Sequence, residues 1–71
     1  MTTRLTNRLR VARAELRISQ EELARRARVA RQTISAIENE QYVPSALLAF
    51  VLAREVGKPV TELFQLKEDE P

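Results

Sequence analysis

The stretch Gln20–Asn39, QEELARRARVARQTISAIEN, decides how the rest of the chain must fold. It reads as two short helices joined by a tight turn. Leu23, Ala27, Val29, Ile34 and Ile37 fall where a helix, a turn residue and a second helix would each point one face at a shared core. Ala24 stands where the two helices must cross. A crossing at roughly 90 to 120° brings backbones close, so a bulky β-branched side chain there would pry the pair apart. Ser19, with Glu22 three residues later, forms an S-x-x-E capping box that marks the start of the first helix.

The second helix suggests what the pair is for. At about 100° per residue from Ile34, Ile37 lies on the same side, while Gln32, Ser35, Ala36 and Asn39 project from the opposite one. That outer face is short and uncharged. Arg31 and Gln32 occupy the first turn, the part of such a helix that meets base edges when it lies in a DNA major groove. There Arg reads guanine and Gln reads adenine, which makes Arg31, Gln32, Ser35 and Ala36 the candidate base contacts. Taken alone, an Arg-Gln pair reads as ordinary solvated surface. The spacing of the whole unit reverses that reading.

Composition narrows the remaining choices. Seventy-one residues make one domain, and a chain this short buries only about 60% of its unfolded surface. Without cysteine or histidine, neither disulfides nor the usual zinc sites can reinforce it, so good helix packing or self-association must. The same absence, with carboxylates scattered on exposed faces, leaves no nucleophile and base to assemble. No enzyme activity, cofactor, metal or small-molecule effector is expected. No apolar run approaches about 18 residues and no charged-then-apolar leader is present. The expected location is the cytoplasm, on the nucleoid when DNA is bound, with no membrane partner. Residues 1–31 hold nine arginines against three glutamates, and residues 32–71 three basic against seven acidic side chains. A basic amino-terminal half suits phosphate neutralisation, although a solvated helix surface accounts for it equally well.

The flanking segments follow from periodicity and breakers. Met1 to Thr6 reads as an arm, with Leu5 opening the stripe of an amino-terminal helix. Leu5, Leu9, Ala12 and Leu16 recur at i, i+4, i+7 and i+11, within about 60° on a helical wheel, and are expected to be buried. Arg13 lies at the margin of that stripe, so its guanidinium needs a partner. Glu38, on the matching margin of the second motif helix, is the candidate. Glu40 to Pro44 is a loop, and Ser45 caps a helix over about Ala46 to Val56 that buries Leu48, Ala49, Leu52 and Val56. Gly57 ends it, Pro59 opens a last short helix, and Val60, Leu63 and Phe64 close the core. Leu47, Phe50 and Val51, with Arg54, point largely outward and form the expected dimer face. Residues 65–71 read as an acidic, mobile tail.

Ser19-Gln20-Glu21-Glu22-Leu23-Ala24, Arg31-Gln32-Thr33-Ile34-Ser35, Ile37-Glu38-Asn39, Tyr42 and Pro44-Ser45 together resemble the phage-repressor and Cro-like helix-turn-helix regulators, the Xre type, from about Asn7 to Phe64. The resemblance implies an all-α, compact five-helix lambda-repressor-like domain over residues 7–64. It implies a transcriptional regulator, usually a repressor, bound to double-stranded DNA as a homodimer on a palindromic operator. An antitoxin or protein-interaction module built on the same domain is the alternative. The resemblance also implies DNA-backbone contacts by Gln20, which could brace Gln32 as well, and by Thr33, Asn39 and Tyr42, and an ion pair between Arg13 and Glu38. Arg28 is a further candidate for the backbone, an exposed charge being the equal alternative. The chain departs from this pattern at three bends, where Arg17, Arg28 and Glu40 replace the usual glycine, and at Ala30, which replaces a hydroxyl cap.

Overall fold

Four helices stop in the same way in the computed structural model, which describes residues 2–69. They are α1 (Leu9–Glu15), α2 (Gln20–Ala27), α3 (Arg31–Glu38) and α4 (Ala46–Val56). Past each last turn a backbone N–H reaches back five residues: Ile18 to the Arg13 carbonyl at 3.3 Å, Val29 to Ala24 at 3.0 Å, Gln41 to Ala36 at 2.8 Å and Lys58 to Ala53 at 3.0 Å. This closure satisfies carbonyls that the helix leaves unpaired, and it needs a left-handed residue just before the returning N–H. That residue is Arg17 (φ 57°), Arg28 (φ 60°), Glu40 (φ 61°) and Gly57 (φ 70°) in turn. The bends are therefore kept where glycine is missing. Each non-glycine bend costs about 1 to 2 kcal/mol.

The helices enclose one core, in which Leu9, Leu23, Ile34, Ile37, Leu52 and Leu63 are fully buried. Ala24 is buried in α2, the helix that crosses α3. The Ser19 hydroxyl accepts the Glu22 N–H at 2.9 Å, and the Ser45 hydroxyl accepts the Leu48 N–H at 3.1 Å, so α2 and α4 start at their caps. Only half of the capping box is made. Arg25 and Arg26 both donate to the Glu22 carboxylate, at 2.5 and 2.8 Å, and these bonds hold its pKa down to about 2. Ala30 gives α3 no side-chain cap. The short helix α5 (Val60–Leu63) follows Pro59 and buries Leu63.

Five expectations are corrected. The fold is not all-α: β1 (Thr2–Asn7) pairs antiparallel with β2 (Phe64–Asp69), Thr2 opposite Asp69 and Leu5 opposite Leu66. Residues 2–6 of the expected arm (1–6) and 65–69 of the expected mobile tail (65–71) are strand instead; Met1, Glu70 and Pro71 lie outside the described residues. Threonines at 2, 3 and 6 and the alternation of Phe64 and Leu66 suit extended chain, and each strand pairs its inward-facing backbone groups with the other. Leu5 packs half-buried on the core from β1 rather than from a helix. Leu16 is 45% exposed, because α1 has ended and the left-handed Arg17 turns the chain so that Ile18 packs on the core instead. Helix α1 starts at Leu9 because the Asn7 Oδ1 accepts the Leu9 N–H at 3.0 Å. The Asn7 Nδ2 donates to the Ile37 carbonyl at 2.8 Å, which ties the start of α1 to the end of α3.

Candidate nucleic-acid interface

Helix α3 divides its residues between two environments. Ile34, Ile37 and Glu38 are buried, whereas Arg31 and Gln32 are exposed and Thr33, Ser35 and Ala36 are half-buried. The face with Arg31, Gln32, Ser35 and Ala36 is thus left for solvent or a ligand. Its orientation is fixed from beneath by Glu38, whose side chain has no solvent exposure. The Arg13 Nε donates to one Glu38 oxygen at 2.8 Å, and the Arg13 Nη2 donates to the other at 3.3 Å. Arg13 also donates to the Ile18 carbonyl at 3.0 Å. Burial pushes the Glu38 pKa up, but the bonds from Arg13 and Gln20 and the charge of Arg13 outweigh it, leaving the carboxyl below its ordinary value.

Gln20 carries this network outward. Its Nε2 donates to Glu38 at 3.0 Å, and its Oε1 accepts from the Arg31 Nη1 at 3.1 Å. The residue braced by Gln20 is therefore Arg31 and not Gln32. Arg13, Ser19, Gln20, Glu21 and Arg31 line an open hollow at the start of α2. Arg28 and Tyr42 are exposed on the surface.

Two contributors escape sequence reasoning. The Arg10 Nη2 donates to the Asn39 Oδ1 at 2.8 Å, and its Nε makes a longer contact of 3.4 Å to Glu38. Asn7 holds the end of α3 through the Ile37 carbonyl. Neither partner is near in sequence, and only the one-residue offset of Arg10 from the Leu9 stripe hinted at it.

On the proposed dimer face Leu47 and Phe50 are 76% and 62% exposed. Arg54 is exposed beside Glu55 at 3.1 Å. Val51 departs from the outward reading: it is half-buried and packs on the core, because its position on α4 lies between the inner and outer faces.

The family described as "Helix-turn-helix domain" matches residues 6–69. The chain belongs to that family. A protein named as an uncharacterized HTH-type transcriptional regulator from Methanothermobacter thermautotrophicus is 47% identical over 62 residues, covering 86% of this chain and 90% of the relative. The similarly named YgzD of Bacillus subtilis is 37% identical, over 92% of this chain and 98% of its own. A crystal structure of a putative DNA-binding protein from Bacteroides fragilis shares the fold with a TM-score of 0.78 at 23% identity, covering 86% of this chain and 98% of that one. In this helix-turn-helix chain, α2 and α3 are the two motif helices. None of its helices is long and apolar enough to cross a membrane among the described residues.

Proposed function

We propose that the protein binds double-stranded DNA sequence-specifically and represses transcription, with α3 of each subunit of a homodimer in the major groove of a palindromic operator. The observation that carries this reading is the division of α3. Arg31 and Gln32 are exposed at its first turn while Glu38, Arg13 and Gln20 lock its other side to α1 and α2. A rigid helix with guanine- and adenine-reading side chains at its open end is what base readout requires. Gln20, Arg28, Thr33, Asn39 and Tyr42 would hold the sugar-phosphate backbone, setting register without carrying sequence information.

The exposed Leu47 and Phe50 support pairing through α4. Two-fold pairing there would place two α3 helices roughly 34 Å apart, the spacing of successive major grooves. The same apolar face also suits a partner protein, as an antitoxin role would require. Selection of sites from random duplex DNA tests the main reading: an enriched inverted repeat is expected, and failure to enrich any motif refutes it.

A further inference from the structure

We infer that Arg10 is a further DNA-backbone contact of this interface, and that it orients the Asn39 amide for the same task. The inference rests on the DNA-binding reading above. Arg10 lies in the first turn of α1, a helix outside the two-helix motif, and reaches across to the residue that follows α3. Its bond occupies the carbonyl oxygen of Asn39. An amide has one acceptor end and one donor end, so fixing the oxygen inward presents the NH2 outward. Phosphate oxygens accept only, which makes the NH2 the useful end. Without Arg10 the amide could rotate, and half of its orientations would show a phosphate another oxygen.

The charge balance points the same way. Glu38 is the one buried carboxylate in this cluster, and Arg13 neutralises it with two hydrogen bonds. The Arg10 contact to Glu38 is longer, at 3.4 Å, and its side chain is 61% exposed. Its positive charge is therefore in excess of what the core pair needs. Three of the five guanidinium N–H groups make neither the Asn39 bond nor the long Glu38 contact, so a phosphate can be held without breaking the network.

The test uses the full chain with a duplex carrying its selected site and a scrambled duplex, read by fluorescence anisotropy across a range of salt concentrations. Arg10→Ala should weaken both duplexes by about five- to tenfold near 0.1 M salt and lower the salt slope by about 0.9, as loss of one phosphate contact requires. Arg10→Lys should restore the slope. Asn39→Ala should cost less affinity in the Arg10→Ala background than in the unmodified protein, since the amide is already unoriented there. Thermal unfolding controls for folding, and the midpoint of Arg10→Ala should stay near that of the unmodified protein. An unchanged salt slope in Arg10→Ala would overturn the backbone contact, and strict additivity with Asn39→Ala would overturn the orienting role. An unmodified protein that binds neither duplex would instead overturn the DNA-binding reading.

Discussion

Replacing Arg17 with glycine should make this protein more stable, although the substitution deletes a whole side chain. Arg17 sits at φ 57° at the end of α1, is exposed, and makes no side-chain hydrogen bond or ion pair among the described residues. Its left-handed backbone costs about 1 to 2 kcal/mol that glycine would not incur. Glycine also gains freedom in the unfolded chain, which takes back about 0.5 to 1 kcal/mol. The expected net gain is about 0.5 to 1 kcal/mol, or roughly 2 to 8 °C in the unfolding midpoint of a domain this small. Arg17→Ala separates the backbone from the side chain, because alanine keeps the Cβ and should leave the midpoint nearly unchanged. Gly57→Ala supplies the mirror image. A Cβ there meets nothing within 4 Å, so its φ of 70° should cost about 1 to 2 kcal/mol, of which the smaller freedom of the unfolded alanine chain returns about 0.5 to 1, a net loss of about 0.5 to 1 kcal/mol. Thermal unfolding by circular dichroism measures all three. Stabilisation by Arg17→Ala equal to that by Arg17→Gly would refute the argument, since the gain would then come from removing charge or bulk.

Further outcomes follow from the core and the interface. Arg13→Met should destabilise by up to about 3 kcal/mol by leaving Glu38 buried with weaker partners, and adding Glu38→Leu should recover part of the loss, as a double-mutant cycle would measure. The folded-state pKa of Glu38 is depressed, so its contribution is present above its ordinary value of 4.5 and lost as pH falls through the folded value; Glu38→Gln should flatten that acid limb in unfolding midpoints measured against pH. Gln32→Ala should relax preference at one base-pair position at a cost of about 1 to 3 kcal/mol, and an unchanged selected motif would refute its role. Leu47→Glu with Phe50→Glu should abolish self-association in sedimentation; an unmodified protein already monomeric at high micromolar concentration without DNA would count against the α4 dimer.

The helices were legible because their signals are local. Ser19 and Ser45 cap α2 and α4, Gly57 stops α4, and Leu23 with Ala27, Ile34 with Ile37, and Leu52 with Val56 recur at helical spacing within their helices, so a few residues of context suffice. The ribbon was not legible for the opposite reason. Leu5 stands four before Leu9 and so fits a helical stripe, and its actual partner, Leu66, lies near the other end of the chain. Nothing in TTRLTN or FQLKED alone identifies the other strand. The site divides in the same way: the outer face of α3 could be read from its wheel, but the brace of Arg31 by Gln20 and of Asn39 by Arg10 depends on how α1 and α2 cross it.

This dependence bears on where specificity can be lost. Glu38 receives Arg13 from α1 and Gln20 from α2, and it belongs to α3, so one buried carboxylate fixes the mutual placement of all three helices. Gln20 then passes that placement to Arg31, a side chain exposed at the first turn. A change at Arg13, on α1, would therefore loosen Arg31 through three hydrogen-bonded steps, by way of Glu38 and Gln20. Gln32, with no hydrogen bond to this network, would keep its freedom and its preference. Loss of the Arg13 pair should consequently blur readout at the base met by Arg31 before it affects the base met by Gln32. A stability defect alone would weaken both positions equally, and site selection with a folded Arg13→Lys variant tells the two apart.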